Sequence, residues 1–266
     1  MEYVFFAGAN GSGKSTLIKN LRSLDEYQGF RYICADEIEA LPELLQYDKE
    51  EKMKVARFLA KSFRSEYLQS HQDIIYESVA SHPSHLDDLD EIKSIGYKIT
   101  TIYVTTENPE INIERISKRG RDNDSYLTPE RVTKRYYKSL DLLSEFIKRS
   151  DVAIAYDNTI DYMAVFTKLN EGKNILLGEK KWADQYIVNK LKSDGYNILT
   201  REDMSKEEYE EALKFANKLF ELSKEKADDK NEKYKKLAES LNKEKVLERL
   251  DKIKNKSKSN SDEQIR

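Results

Sequence analysis

The chain has 266 residues and a single cysteine, Cys34, which excludes an internal disulfide framework and a cysteine-rich zinc site and suits a reducing cytosol. No apolar run approaches the roughly 20 residues needed to span a bilayer, so no membrane helix is expected. Neither sign of charge dominates: 46 Lys+Arg stand against 49 Asp+Glu, a net charge of -3. The whole-molecule field therefore offers no general attraction for nucleic acid or for an anionic membrane, and neither is expected as a partner. The stretch Met1 to Gly8 lacks the basic region of a signal peptide, so the protein is expected in the cytoplasm. Internal repeats are also missing. What is present is polar but aromatic. Charged residues make up 36%, yet 17 Tyr and 9 Phe are too many for a disordered chain and point to a core wrapped in exposed helices.

Short runs rich in β-branched and aromatic residues recur at Tyr3 to Ala7, Tyr32 to Ala35, Asp73 to Tyr76, Lys98 to Val104 and Val152 to Tyr156. Helical stretches separate them, the pattern of a buried parallel sheet in an α/β fold. Ala56, Leu59, Ala60, Phe63 and Tyr67 mark one amphipathic helix; Val132, Tyr136, Leu140, Leu143 and Ile147 mark another. Asn108-Pro109-Glu110 and Thr128-Pro129-Glu130 each place a capping side chain before a proline, so helices should begin there. From about Gly172 the character changes. A strand-like pair, Ile175 to Leu177 and Tyr196 to Leu199, precedes a capping box at Ser205 to Glu208 and two charged helices. Their stripes, Ala212, Leu213, Ala216, Leu219 and Phe220 on one and Tyr234, Leu237, Leu241, Leu247, Leu250 and Ile253 on the other, are expected to pack on each other. The division is thus residues 1–172 as the α/β domain, 173–253 as a mainly helical extension and 254–266 as a disordered tail.

Gly8-Ala9-Asn10-Gly11-Ser12-Gly13-Lys14-Ser15 follows a predicted strand and precedes the helical run that opens at Thr16, matching G-x-x-x-x-G-K-[ST] in full. Glycines allow a turn that aims successive N–H groups at phosphate oxygens, and the helix N-terminus adds a positive dipole end. Lys14 should reach the β- and γ-phosphates of ATP and the Ser15 hydroxyl should ligand Mg²⁺. Asp36 ends the second apolar run, where it can take a proton from an incoming hydroxyl, hold the metal or simply cap a helix. Glu77, Ser78 and Ser81 close the third run and can orient a polar substrate. His82 and His85 lack a third ligand for a metal and read as surface residues. Arg115, Arg119, Arg121, Arg131 and Arg135 crowd one window around Gly120 to Ser125, as in a mobile lid over a triphosphate. Helical spacing allows two or three of them to point inward together; the others fit a solvated face.

In this order the features resemble the zeta toxin family of P-loop kinases, whose members phosphorylate a sugar hydroxyl of UDP-N-acetylglucosamine. The matching segments are Ala7 to Leu17, Ala35-Asp36, Tyr76 to Ser81, Glu114 to Arg119, Arg135 to Leu140 and Tyr156 to Thr159. The resemblance covers roughly residues 1 to 175 and implies a P-loop kinase-type parallel sheet flanked by helices. It implies Lys14 and Ser15 on ATP and Mg²⁺, Asp36 as general base, Glu77 and Ser78 on a nucleotide-sugar acceptor, Arg115 or Arg119 on the phosphates, and Asp157 and Asn158 near the nucleotide base. A toxin role with an antitoxin protein as partner would follow. One departure is plain: where many members carry G-G-H-x-V-P, this chain has Asn123 to Thr128. Two rivals remain open from the residues themselves: a P-loop kinase for a nucleoside, a polynucleotide 5′ end or another metabolite, and a nucleotide-dependent switch without phosphotransfer.

Overall fold

The computed structural model describes residues 1–120 and 126–226. Its centre is an eight-stranded sheet in the order β2-β3-β1-β4-β5-β6-β7-β8. The strands are β1 Glu2–Ala7, β2 Arg31–Cys34, β3 Ile74–Glu77, β4 Lys98–Thr105, β5 Val152–Asp157, β6 Met163–Lys168, β7 Asn174–Leu176 and β8 Ile198–Leu199. The first five pair in parallel. Their connections run through α1 Lys14–Leu21, α2 Ala35–Glu39, α3 Lys49–Gln69, α4 Ser84–Ser94, α5 Pro109–Arg119 and α6 Pro129–Arg149. This is the expected α/β fold, a mostly parallel sheet flanked by helices. Asn108 and Thr128 cap α5 and α6 as their sequence context requires.

Successive strand residues point to opposite faces, and helices cover both. Tyr3, Phe5 and Ala7 pack with Leu59, Phe63 and Phe146 on one side. Val4 and Phe6 pack with Leu17, Leu21 and Ile154 on the other. Phe5 and Phe6 are fully buried, each stabilising the fold by about 1.5–3 kcal/mol. The apolar residues expected to face inward from α3 and α6 do so, with Tyr67 only partly covered. β1 lies between β3 and β4 and the chain crosses in opposite directions to reach them, so a crevice opens at the carboxyl ends of these strands.

Two features go beyond the sequence reading. β6 follows β5 after only five residues, too few for a helical crossover, so it turns back and pairs antiparallel. The change of character at Gly172 is also no break in the sheet. β7 pairs antiparallel with β6. After the short helical segments α7 Lys181–Ala183 and α8 Asn189–Ser193, β8 pairs parallel with β7. The capping box forms, with Ser205 and Glu208 exchanging hydrogen bonds, and opens α9 Lys206–Lys226. α9 packs Ala212 and Ala216 into the cluster of Leu17, Ile18 and Leu21 on α1. Tyr156 adds a hydrogen bond to the Ala216 carbonyl. The second helix of the expected pair and the tail 254–266 lie outside the described residues.

Candidate active site

The loop Gly8 to Gly13 joins β1 to α1, with Gly13 at the helix N-cap in the left-handed region, φ 106°. Only glycine fits there: a Cβ would lie 2.3 Å from Asn158 Nδ2, and one on Gly8 would lie 2.0 Å from the Val104 carbonyl. Neighbouring elements clamp the loop by its carbonyls. Asn112 Nδ2 donates to Asn10 O at 2.8 Å, Asn158 Nδ2 to Ser12 O at 2.7 Å and the Tyr162 hydroxyl to Gly13 O at 2.6 Å. With those carbonyls drawn onto side chains, the N–H side of the turn and the α1 N-terminus are left to meet an anion. Ala9 and Ser12 are buried, whereas Thr16 is exposed beside Tyr162, whose phenol burial pushes up to about 12. Lys14 is buried and donates to Ala9 O at 3.1 Å. Burial lowers its pKa, while the facing carboxylates of Glu77 and Asp36 act to raise it.

Asp36 is the second residue of α2, whose N-cap is Cys34, so the capping reading does not hold. Its side chain is exposed and lines a cleft of about 420 Å³ beside the loop. Glu77 ends β3 in the same cleft, but its two oxygens are already held. Oε1 accepts from Ser15 Oγ at 2.9 Å and Oε2 from the Tyr32 hydroxyl at 2.6 Å. The residue expected on the acceptor thus stands on the hydroxyl expected to meet the metal. Ser15 Oγ and the Glu77 carboxylate form a pair of hard oxygen donors suited to a cation held mainly by phosphate and water. Among the described residues no group of three or more His, Cys, Asp or Glu gathers as a closed metal site.

The arginines divide. Arg135 Nη1 donates to Asn10 Oδ1 at 3.1 Å, reaching the loop from α6. Arg115 Nη2 donates to Thr159 O at 3.1 Å, and Arg119 is close enough to act electrostatically on Lys14. Arg131 and Arg135 lie over the Tyr126 ring, 5.2 and 5.9 Å from its centroid. Arg121 lies outside the described residues. Asp157 is buried, with Oδ1 accepting from Thr159 N and Oδ2 from Trp182 Nε1. It braces the loop that carries Asn158, whose own amide is spent on the phosphate turn.

Ser78 and Ser81 line the cleft. His82 is exposed, as read from the sequence, but His85 is not a plain surface residue. The α4 start turns its ring onto Phe5 and Tyr76, and Nε2 lies 3.0 Å from Ser78 Oγ. Sequence reasoning also missed Arg57, Lys61 and Arg64, which line the cleft from α3. Their i, i+4, i+7 spacing beside the Ala56/Ala60 stripe was the available signal.

The family model of the AAA domain matches residues 4–138. No curated protein matches the sequence. Among solved structures, the PezAT chromosomal toxin-antitoxin system of the human pathogen Streptococcus pneumoniae matches at 15% identity. That match covers 85% of this chain and 88% of that one, with a TM-score of 0.50. A structure of AvrRxo1-ORF1:AvrRxo1-ORF2 with sulphate ions matches at 12% identity, covering 85% and 76%, with a TM-score of 0.55. These likenesses show a shared fold. Because the phosphate loop, the strand order around it and a family match over just more than half the chain coincide, the chain belongs to the AAA domain family.

Proposed function

We propose that this protein is an ATP-dependent kinase that transfers the γ-phosphoryl group to a hydroxyl of a nucleotide sugar such as UDP-N-acetylglucosamine. The observation that carries the reading is Lys14 on the phosphate loop with Asp36 and Glu77 beside it, all on one cleft. In the reaction the acceptor oxygen bonds to the γ-phosphorus, the bond to the β–γ bridging oxygen breaks to leave ADP, and the hydroxyl proton passes to Asp36. Lys14 meets charge that grows on the transferring group, with Arg115 or Arg119 and Arg135 placed to share it. Ser15, with Glu77 behind it, would hold Mg²⁺, which when bound neutralises β- and γ-phosphate charge. Arg57 and Lys61 on the far wall suit an acceptor that itself carries a diphosphate. The proposal includes an antitoxin protein as partner, as in the pneumococcal system whose fold this chain shares.

The test is mass spectrometry of UDP-N-acetylglucosamine incubated with the protein, ATP and Mg²⁺. A gain of one phosphoryl group, nearly abolished in Lys14→Ala, is the expected result. Phosphorylation of a different acceptor would correct the substrate; ADP release without any phosphorylated product would replace the kinase with a switch.

A further inference from the structure

One group of side chains in the cleft has no part in phosphoryl transfer as described. Ser78, just beyond β3, His85 and Asp88 on α4 and Arg64 on α3, 24 residues before Asp88, form one connected row. Ser78 Oγ lies 3.0 Å from His85 Nε2. His85 Nδ1 faces Asp88 Oδ2 at 3.6 Å. Asp88 is gripped on both oxygens by Arg64, Nη1 at 2.7 Å and Nη2 at 2.5 Å. The His85 ring rests against Phe5 and Tyr76, which fix its plane.

The direction of the hydrogen bonds follows from charge. A carboxylate opposite Nδ1 calls for the ring hydrogen on that nitrogen, since a lone pair there would face negative charge. Arg64 grips both Asp88 oxygens in a bidentate pair, which fixes the carboxylate opposite Nδ1. Nε2 is then an acceptor, and it takes the Ser78 hydroxyl hydrogen. One lone pair of Ser78 Oγ accepts from Ala80 N at 3.1 Å, where Ala80 holds an unusual left-handed φ of 54°. The remaining lone pair is open to the cleft. We infer that His85, backed by Asp88 and Arg64, is a positioning residue that locks Ser78 as a hydrogen-bond acceptor, so that the acceptor pocket selects a ligand presenting a donor, a hydroxyl or amide N–H, at this point. The ligand part of this inference rests on the kinase reading; the tautomer and the Ser78 bond do not.

Two measurements on the full chain decide it. Long-range ¹H–¹⁵N spectra of the histidines should show His85 with hydrogen on Nδ1 and none on Nε2, and the Nε2 resonance should shift in Ser78→Ala. Hydrogen on Nε2, or no response to Ser78→Ala, overturns the inference whatever the protein's substrate. In steady-state kinetics with UDP-N-acetylglucosamine, His85→Phe keeps a ring against Phe5 but frees the Ser78 hydroxyl. It should raise the acceptor KM about tenfold while kcat and the KM for ATP change less than about threefold, the mark of lost ground-state binding. His85→Gln, which can place an amide oxygen where Nε2 sits, should recover most of that affinity. An unchanged acceptor KM in a folded, active His85→Phe enzyme overturns the selectivity, whereas no phosphorylation by the wild type overturns the nucleotide-sugar reading and leaves the spectra to decide the hydrogen-bond row.

Discussion

The two walls of the cleft are built differently. On the nucleotide side the loop Gly8 to Gly13 is short, glycine-bearing and clamped by side chains from α5 and the β5–β6 turn, all directed at backbone carbonyls. On the proposed acceptor side the wall carries side chains from α2, α3 and α4, and several of them, Asp36, Arg57 and Lys61, are exposed. A backbone cradle recognises what every nucleoside triphosphate shares; a wall of side chains can be rewritten residue by residue to suit one acceptor. The contrast is what the proposed kinase reading requires, with a generic phosphate motif on one wall and acceptor specificity on the other.

The severest way to break the comparison is to remove what stands behind the nucleotide wall. A chain ending at Gly172 loses β7, β8 and α9, and with them the cover over Leu17, Ile18 and Leu21 on α1. Exposed apolar surface on the helix that starts at Lys14 should make this protein insoluble or unable to bind ATP; a soluble, monomeric fragment with normal ATP affinity would show the C-terminal elements to be dispensable.

Asp36→Asn sharpens the comparison from the other wall. The amide keeps the size of the side chain but cannot take the hydroxyl proton, so phosphoryl transfer should fall by about 10²- to 10⁴-fold. ATP affinity and melting temperature should stay near normal, because the loop is untouched and Cys34, not Asp36, occupies the helix cap. Full activity in this variant would take Asp36 out of the mechanism.

A smaller effect, read through stability, is expected at Asp88. Burial alone would raise its carboxyl, but the His85 and Arg64 partners outweigh burial and hold it well below the usual carboxylate range. Its contribution is therefore complete above the unfolded value of about 4 and is lost as pH falls through the depressed folded value. Asp88→Asn should cost about 3 kcal/mol at pH 7, because Arg64 is left buried without its charge partner. Denaturant titration should show the gap between variant and wild type closing toward pH 2; a gap that persists unchanged in acid would mean that the ion pair is not its source.

Much of the nucleotide wall was legible because it depends on local sequence. Strand, glycine turn, Lys14 and helix follow one another without a gap, and the caps at Asn108, Thr128 and Ser205 are read within four residues. The acceptor wall was less so. Nothing near His85 announces that its ring will meet Phe5 of β1 or that Asp88 will face Arg64, 24 residues away on another helix. Glu77 was seen as a carboxylate in the crevice, but not that Ser15 and Tyr32 would occupy both of its oxygens.

The sequence by itself determined the α/β class, the five parallel strands and the phosphate loop, since apolar periodicity, glycine at positive φ and helix capping act over a few residues. The tertiary structure alone decided that β6 turns back, that α9 closes over α1, and that Trp182 donates to the Asp157 carboxylate. Each of those outcomes is set by which surfaces meet when the sheet closes, a competition among contacts remote in sequence that no local pattern records.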